Sequence, residues 1–277
     1  MLPFPPYRFG NPAAMGAGFV GPLDGYASNL PLAFSVKNRL LSSDTGYAFN
    51  VRRSSDSTTL DIGYNADGTV KTADLLAFTG SGSGYITKLY NKGTLGSAGD
   101  ASQSTAANQP RIVNAGSLDD GMYFNGSSFE LEIASQPVSS YSNGTMMQIA
   151  SNLQTLGNAG INGRMYAFAG GAFGFWDLFG GQFYQDLPLA DRISGSPPAG
   201  WAIGGYHKLS NENTGSSSIL RIDGSAFLTG AASNAFTGTG KLYIGSSGGS
   251  GFWMGNIRSF VLWSDCTNAA TRAAALP

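Results

Sequence analysis

An all-β protein, folded as a two-sheet sandwich, is predicted by three features of this sequence. Only 12% of its 277 residues are charged, roughly half the usual share, while glycine occurs 40 times and Ser, Thr and Asn take over the polar surface. Aromatic mass is ample, with 17 Phe, 12 Tyr and 4 Trp, so a large core is expected and disorder is not. From about residue 32 to the end, short strand-like runs recur between turn residues with no break in composition and no repeat of fixed period.

The elements follow in order. Residues 1–31 alternate prolines with glycines and carry Phe4, Tyr7, Phe9 and Phe19 between them. Proline fixes φ and removes strand donors, so this segment reads as an extended docking arm, its rings seated on a neighbouring polypeptide. Residues 32–277 read as one sandwich. Tyr47–Arg53 and Thr58–Tyr64 flank the turn 54–57 as a hairpin, and Asn65-Ala66-Asp67-Gly68 is a second turn. Thr72 reads as the cap of a short helix through Phe78. Tyr85–Tyr90 is a strand, and the polar stretch from Asn91 to Pro110 a long loop. Strands are expected at Gly121–Phe124, Phe129–Ile133, Met146–Ala150, Arg164–Ala169 and Trp201–Leu209. Ser218–Ile222 and Ala226–Leu228 pair through Asp223-Gly224, a strong hairpin signal. Lys241–Ile244 and Ile257–Trp263 follow, and Thr267 reads as the cap of a final helix from Asn268 to Leu276. Alternation places Leu131, Ile133, Ile222, Tyr243, Phe260 and Leu262 inward.

Charge and cysteine usage narrow the chemistry. A net charge of −1, with 16 Lys and Arg scattered along the chain, supplies no basic patch for nucleic acid. One Cys and one His exclude an intrachain disulfide and the usual zinc cages, so no cofactor and no metal site are expected, with an oxygen-ligated calcium left open. The first ten residues lack a basic stretch before an apolar run and read as no secretory signal, and no run of 18 apolar residues suggests a membrane span.

Four constellations are candidates for function. Glu130 and Glu132, two of only three glutamates, lie two apart on a strand and share a face, which makes them the best carboxylate pair available. A polar outward face is the plainer reading, and no catalytic residue is assigned. Arg52 and Arg53 suit an acidic or sugar ligand, or else cross-hairpin pairing with Asp56 and Asp61. The glycine runs at 80–84 and 245–251 lack the Lys-Ser/Thr ending of a phosphate loop and read as flexible loops. The aromatic stretch 166–184 contains Phe173, Phe175, Trp176, Phe183 and Tyr184 among glycines, and three readings stay open: core, subunit interface or sugar stacking. His207 reads as a strand-edge residue.

The chain's end, a hairpin through IDG, the strand KLYIG, a glycine-rich loop, GNIRSFVLWSD and a short helix, resembles concanavalin-like and laminin-G-like jelly rolls. More specifically, Leu40–Tyr90 with Ala106–Val113, carrying VRRSSD, DIGY and QPRIV, resembles the first half of the arabinofuranosidase-B-type domain, a concanavalin-like sandwich also found in virion proteins of tailed bacteriophages. The resemblance implies a jelly-roll body with short peripheral helices. It carries no catalytic carboxylate onto any position here, and the family's paired cysteines are absent. The function expected from it is that of a non-enzymatic structural protein of the virion, a capsid decoration, head-fibre or tail component. Such a protein would be held by its arm to other virion proteins and would be homo-oligomeric. A carbohydrate-binding adhesin with a surface glycan as ligand is the alternative, and a glycoside hydrolase acting through Glu130 and Glu132 a third.

Overall fold

The computed structural model describes residues 18–135, 145–153, 163–169, 174–179, 182–186, 192–196, 205–213, 216–231 and 240–276, with the backbone alone for 145–153, 174–179, 186 and 273. The first half contributes β1 (Leu32–Ser35), β2 (Phe49–Arg53), β3 (Thr59–Ile62), helix α1 (Thr72–Thr79), β4 (Gly84–Leu89), β5 (Ala101–Ser102), β6 (Arg111–Asn114), β7 (Ser117–Asn125) and β8 (Leu131–Ile133). The second contributes β9 (Thr145–Leu153), β10 (Arg164–Phe168), β11 (Gly174–Phe179), β12 (Gln182–Asp186), β13 (Arg192–Gly195) and β14 (Tyr206–Asn213). After these come β15 (Ser217–Ile222), β16 (Ser225–Ala231), β17 (Leu242–Ile244), β18 (Met254–Trp263) and helix α2 (Ala269–Ala275). No helix among the described residues is long and apolar enough to cross a membrane.

Among the described residues the strand-to-strand pairings are antiparallel and arrange the strands in two layers. One layer runs β16, β15, β14, β9, β18, with the far edge of β18 shared end to end by β7 and β1. The other runs β3, β2, β4, β5, β8, β17, β10, β11, β12, β13. β6 pairs with both β4 and β7, so the tight β6–β7 hairpin turns the corner between layers. Rings cross the gap: Tyr166 of β10 meets Phe260 of β18 edge to face at 5.9 Å, and Phe183 of β12 meets Phe227 of β16 at 5.8 Å. The fold class expected from the sequence, an all-β jelly-roll sandwich, is what the chain adopts.

Burial follows the period of two. Leu131 and Ile133 of β8, with Leu242 and Ile244 of β17, are fully buried, and Ile222, Phe260 and Leu262 join the same core. Tyr243 does not: the two aliphatic neighbours take the inward positions, and the bulky phenol is left half-exposed opposite Glu132. A second apolar cluster lies behind β1 and β18, where Ala33, Val261 and Trp263 meet Leu23, Leu30, Leu40, Leu41 and Leu276. β1 and most of β18 are therefore buried on both faces.

That second cluster bears on the last part of the expected arm. The part of residues 1–31 that is described packs on its own body. Leu23 and Leu30 are fully buried, and the Trp263 indole N–H donates to the Tyr26 carbonyl at 2.9 Å. Phe19 lies 3.9 Å beneath the Arg39 guanidinium and against Gly68. The physical reason is the bare outer face of β1 and β18, which needs an apolar cover from the same chain. Phe4, Tyr7 and Phe9 lie outside the described residues.

Other differences are local. Neither expected cap is made: Thr72 is already inside α1, with Lys71 at its boundary, and α2 begins after Asn268 in a left-handed conformation without a side-chain cap bond. The stretch read as a loop from Asn91 to Pro110 holds two short 3₁₀ turns and β5, which plugs the gap between β4 and β8. β11 to β13 arise within and just after the aromatic and glycine stretch, where no strand was expected.

Candidate functional site

The outward face of β8 and β17 gathers charge above the core. Strand alternation sends Leu131 and Ile133 down and leaves Glu130 and Glu132 up, half-exposed. The Glu130 backbone N–H donates to the Asn108 carbonyl at 3.0 Å, fixing the residue beside the 103–110 segment. Its Oε2 accepts from the Ser246 hydroxyl at 2.5 Å and from the Gly249 N–H at 3.0 Å. Ser246 Oγ in turn accepts from Gly248 N–H at 3.0 Å, and the loop closes through Ser247 N–H to the Ser250 carbonyl at 2.8 Å. The run 245–251, expected to be a flexible loop, is thus tied by hydrogen bonds to a carboxylate more than a hundred residues away. It follows β17 because Gly245 takes φ 84° in contact with the Phe124 ring, a place with no room for a side chain.

Glu132 differs from its neighbour in partner. Its Oε1 lies 2.8 Å from Lys241 Nζ, and that pairing raises the lysine above its ordinary value. Tyr243 stands across from Glu132 in the β8–β17 register. Desolvation pushes its phenol up first, and the negative charge of Glu132 and, less strongly, Glu130 adds to this. Two carboxylates, a phenol and an ammonium therefore share one solvent-facing surface, bounded by a hydrogen-bonded glycine loop. Carboxylates aligned in this way can accept hydrogen bonds from sugar hydroxyls and are the chemical minimum for glycoside cleavage. Among the described residues no three His, Cys, Asp or Glu gather to hold a metal ion.

The other candidates disperse. Arg53 pairs with Asp56 at 2.5 Å across the turn, as expected, and the bond holds that carboxyl well below its ordinary range. Asp61 instead accepts from Asn50 and from the Tyr90 hydroxyl, both at 2.7 Å, and Arg52 turns to Gln109. Phe183 is fully buried and serves the core, while Tyr184 is half-exposed on the opposite face with Arg192 at 5.2 Å from its ring. Phe173 and the side chains of Phe175 and Trp176 lie outside the described residues. His207 Nδ1 lies 2.8 Å from Asp223 Oδ2, beside the β15–β16 turn.

No family model matches the sequence, and no curated protein does. Solved structures do. A variant family-54 α-L-arabinofuranosidase soaked with 4-nitrophenyl α-L-arabinofuranoside superposes at a TM-score of 0.71 and 16% identity over 92% of this chain. An α-L-arabinofuranosidase of the same family soaked with a cyclic sulfate inhibitor gives 0.66 at 15%. An arabinofuranosidase complexed with arabinofuranosyl-α-1,2-xylobiose gives 0.62 at 17%. The fold is the arabinofuranosidase-type sandwich. This chain spans 65% of the length of each of those enzymes.

These matches correct the expected function. The three arabinofuranosidases that share this fold over 92% of the sequence are glycoside hydrolases, which overturns the reading as a non-enzymatic structural protein of a phage particle. The fold half of the resemblance stands, and its link to a phage gains no support.

Proposed function

We propose that this chain processes carbohydrate as a glycoside-cleaving protein, and that it meets its substrate on the outward face of β8 and β17. The observation that carries the reading is the superposition on arabinofuranosidases over 92% of the chain. Glu130 is the carboxylate best placed to act, because the Ser246 hydroxyl and the Gly249 N–H fix one of its oxygens and so orient the other. Glu132 lies about 6.6 Å further along the same face, measured between backbone positions, and offers a second carboxylate on that surface. Tyr243, opposite Glu132 on β17, offers an aromatic face and a hydroxyl.

The test is hydrolysis of a panel of aryl furanosides and pyranosides, beginning with 4-nitrophenyl α-L-arabinofuranoside, by the full chain and by Glu130→Gln and Glu132→Gln. Turnover that drops about 100-fold or more in Glu130→Gln, with unchanged melting temperature, is the expected result. A folded protein with no turnover across the panel overturns the reading, as does turnover indifferent to both substitutions.

A further inference from the structure

Beside the β2–β4 pairing lies a cleft of about 360 Å³ lined by Arg52, Ser54, Tyr85, Ala106, Ala107 and Phe129. Arg52 is the one charged residue in its wall, and it is braced. Its Nε–H donates to Gln109 Oε1 at 2.7 Å and its Nη2 to the Ala106 carbonyl at 3.2 Å, while the guanidinium lies 5.0 Å from the Tyr85 ring centre. Gln109 is itself buried and donates Nε2–H to the Gln103 carbonyl at 3.0 Å, so the brace has a fixed base. The adjacent Arg53 is paired with Asp56, and Arg111 with Asp119, but among the described residues no carboxylate pairs with Arg52. Neutral acceptors orient this guanidinium without cancelling its charge, and Nη1 is left without a hydrogen-bond partner among those residues.

Two rings complete the wall. Tyr85 and Phe129 meet edge to face at 6.3 Å, and Phe129 meets Tyr123 in the same way at 6.4 Å, which locks the Phe129 ring while one side of it borders the cleft. We infer that this cleft binds a uronic-acid residue of a glycan, its carboxylate on the Arg52 guanidinium and its apolar face on Phe129. The planar fork of an arginine matches a carboxylate in two parallel hydrogen bonds, which favours a sugar acid over a neutral sugar. A volume of this size suits a single ring, and one cation suits a single charge. The inference rests on the carbohydrate reading above for its choice of a sugar. It concerns recognition only, because the cleft wall contains no carboxylate.

The experiment titrates the full chain calorimetrically with trigalacturonate, with neutral galactotriose and with sodium acetate. Trigalacturonate is expected to bind about tenfold or more tightly than galactotriose, and acetate not to compete with it at equal concentration. Arg52→Gln abolishes that preference, Arg52→Lys keeps only part of it because the ammonium lacks the fork, and Phe129→Leu weakens binding of trigalacturonate. Equal affinity for the acidic and neutral trisaccharides, displacement by acetate alone, or a preference that survives both Arg52 substitutions overturns the inference. None of these outcomes touches hydrolysis at Glu130, so the two proposals fail separately.

Discussion

Phe183 and Tyr184 are adjacent in sequence and opposite in role. The first is fully buried between the layers against Phe227, the second half-exposed under Arg192. Phe183→Ala is therefore expected to cost about 3–5 kcal/mol in chemical unfolding, and Tyr184→Ala less than about 1 kcal/mol. Equal losses would show that the alternation along β12 has been misassigned. Cys266 is a second case where surroundings set behaviour. Burial first, then the nearby negative charge of Glu212, pushes its thiol up to about 12, while its S–H donates to the Asn213 carbonyl at 3.4 Å. Native Cys266 should react with a thiol reagent at pH 8 at least tenfold more slowly than the unfolded chain, because little thiolate is present. Asp120 is one of the carboxylates that contribute to acid sensitivity. Desolvation pushes it up, but contacts with Lys37 at 2.9 Å and Arg258 at 2.6 Å more than offset this, and its pKa lies below the ordinary 3.8. A lowered folded value means that the contribution is complete above the unfolded pKa and is lost as pH falls below about 4 through the folded one. Urea midpoints of Asp120→Asn should accordingly fall less steeply than wild type below pH 4. At this scale the sequence disclosed the carboxylate pair, through simple alternation. It did not disclose that Ser246 and Gly249 hold Glu130, since contacts across more than a hundred residues leave no local pattern.

Elements were legible where turn chemistry is local. The dipeptide Asp223-Gly224 takes φ 51° and 83°, both left-handed, which is what a two-residue hairpin between right-twisted strands requires, and β15 and β16 flank it as read. Gly224→Val, placing a β-branched side chain at that backbone angle, should destabilise the protein by about 1–2 kcal/mol with no loss of buried contact. The caps were misread because Thr before an apolar run is a frequent signal and not a binding one; α1 begins one residue earlier, with no side-chain cap, and packs through buried Leu75. β11 to β13 were missed for a different reason. Glycines between rings mask the alternation, and only the partner strands restore it.

At the scale of the molecule, a sandwich was readable from composition and strand spacing. The cover behind β1 and β18 was not, because the Pro/Gly composition of the first residues says how the chain runs and not what it lies on. Removing residues 1–35 strips Leu23, Leu30 and β1 from that cover and should abolish a cooperative thermal transition; a shortened chain that still melts sharply would show the cover to be dispensable. The pairing of β1 with β18, Leu32 opposite Leu262, also sets a clock. On the ribosome, at about 5–20 residues per second, the first strand waits roughly 10–50 seconds before its partner is even synthesised. Through that interval β1 has no native strand partner, so the nascent chain depends on holdase chaperones until β18 emerges, and slow codons between those for β1 and β18 should lower its yield more than slow codons ahead of β1.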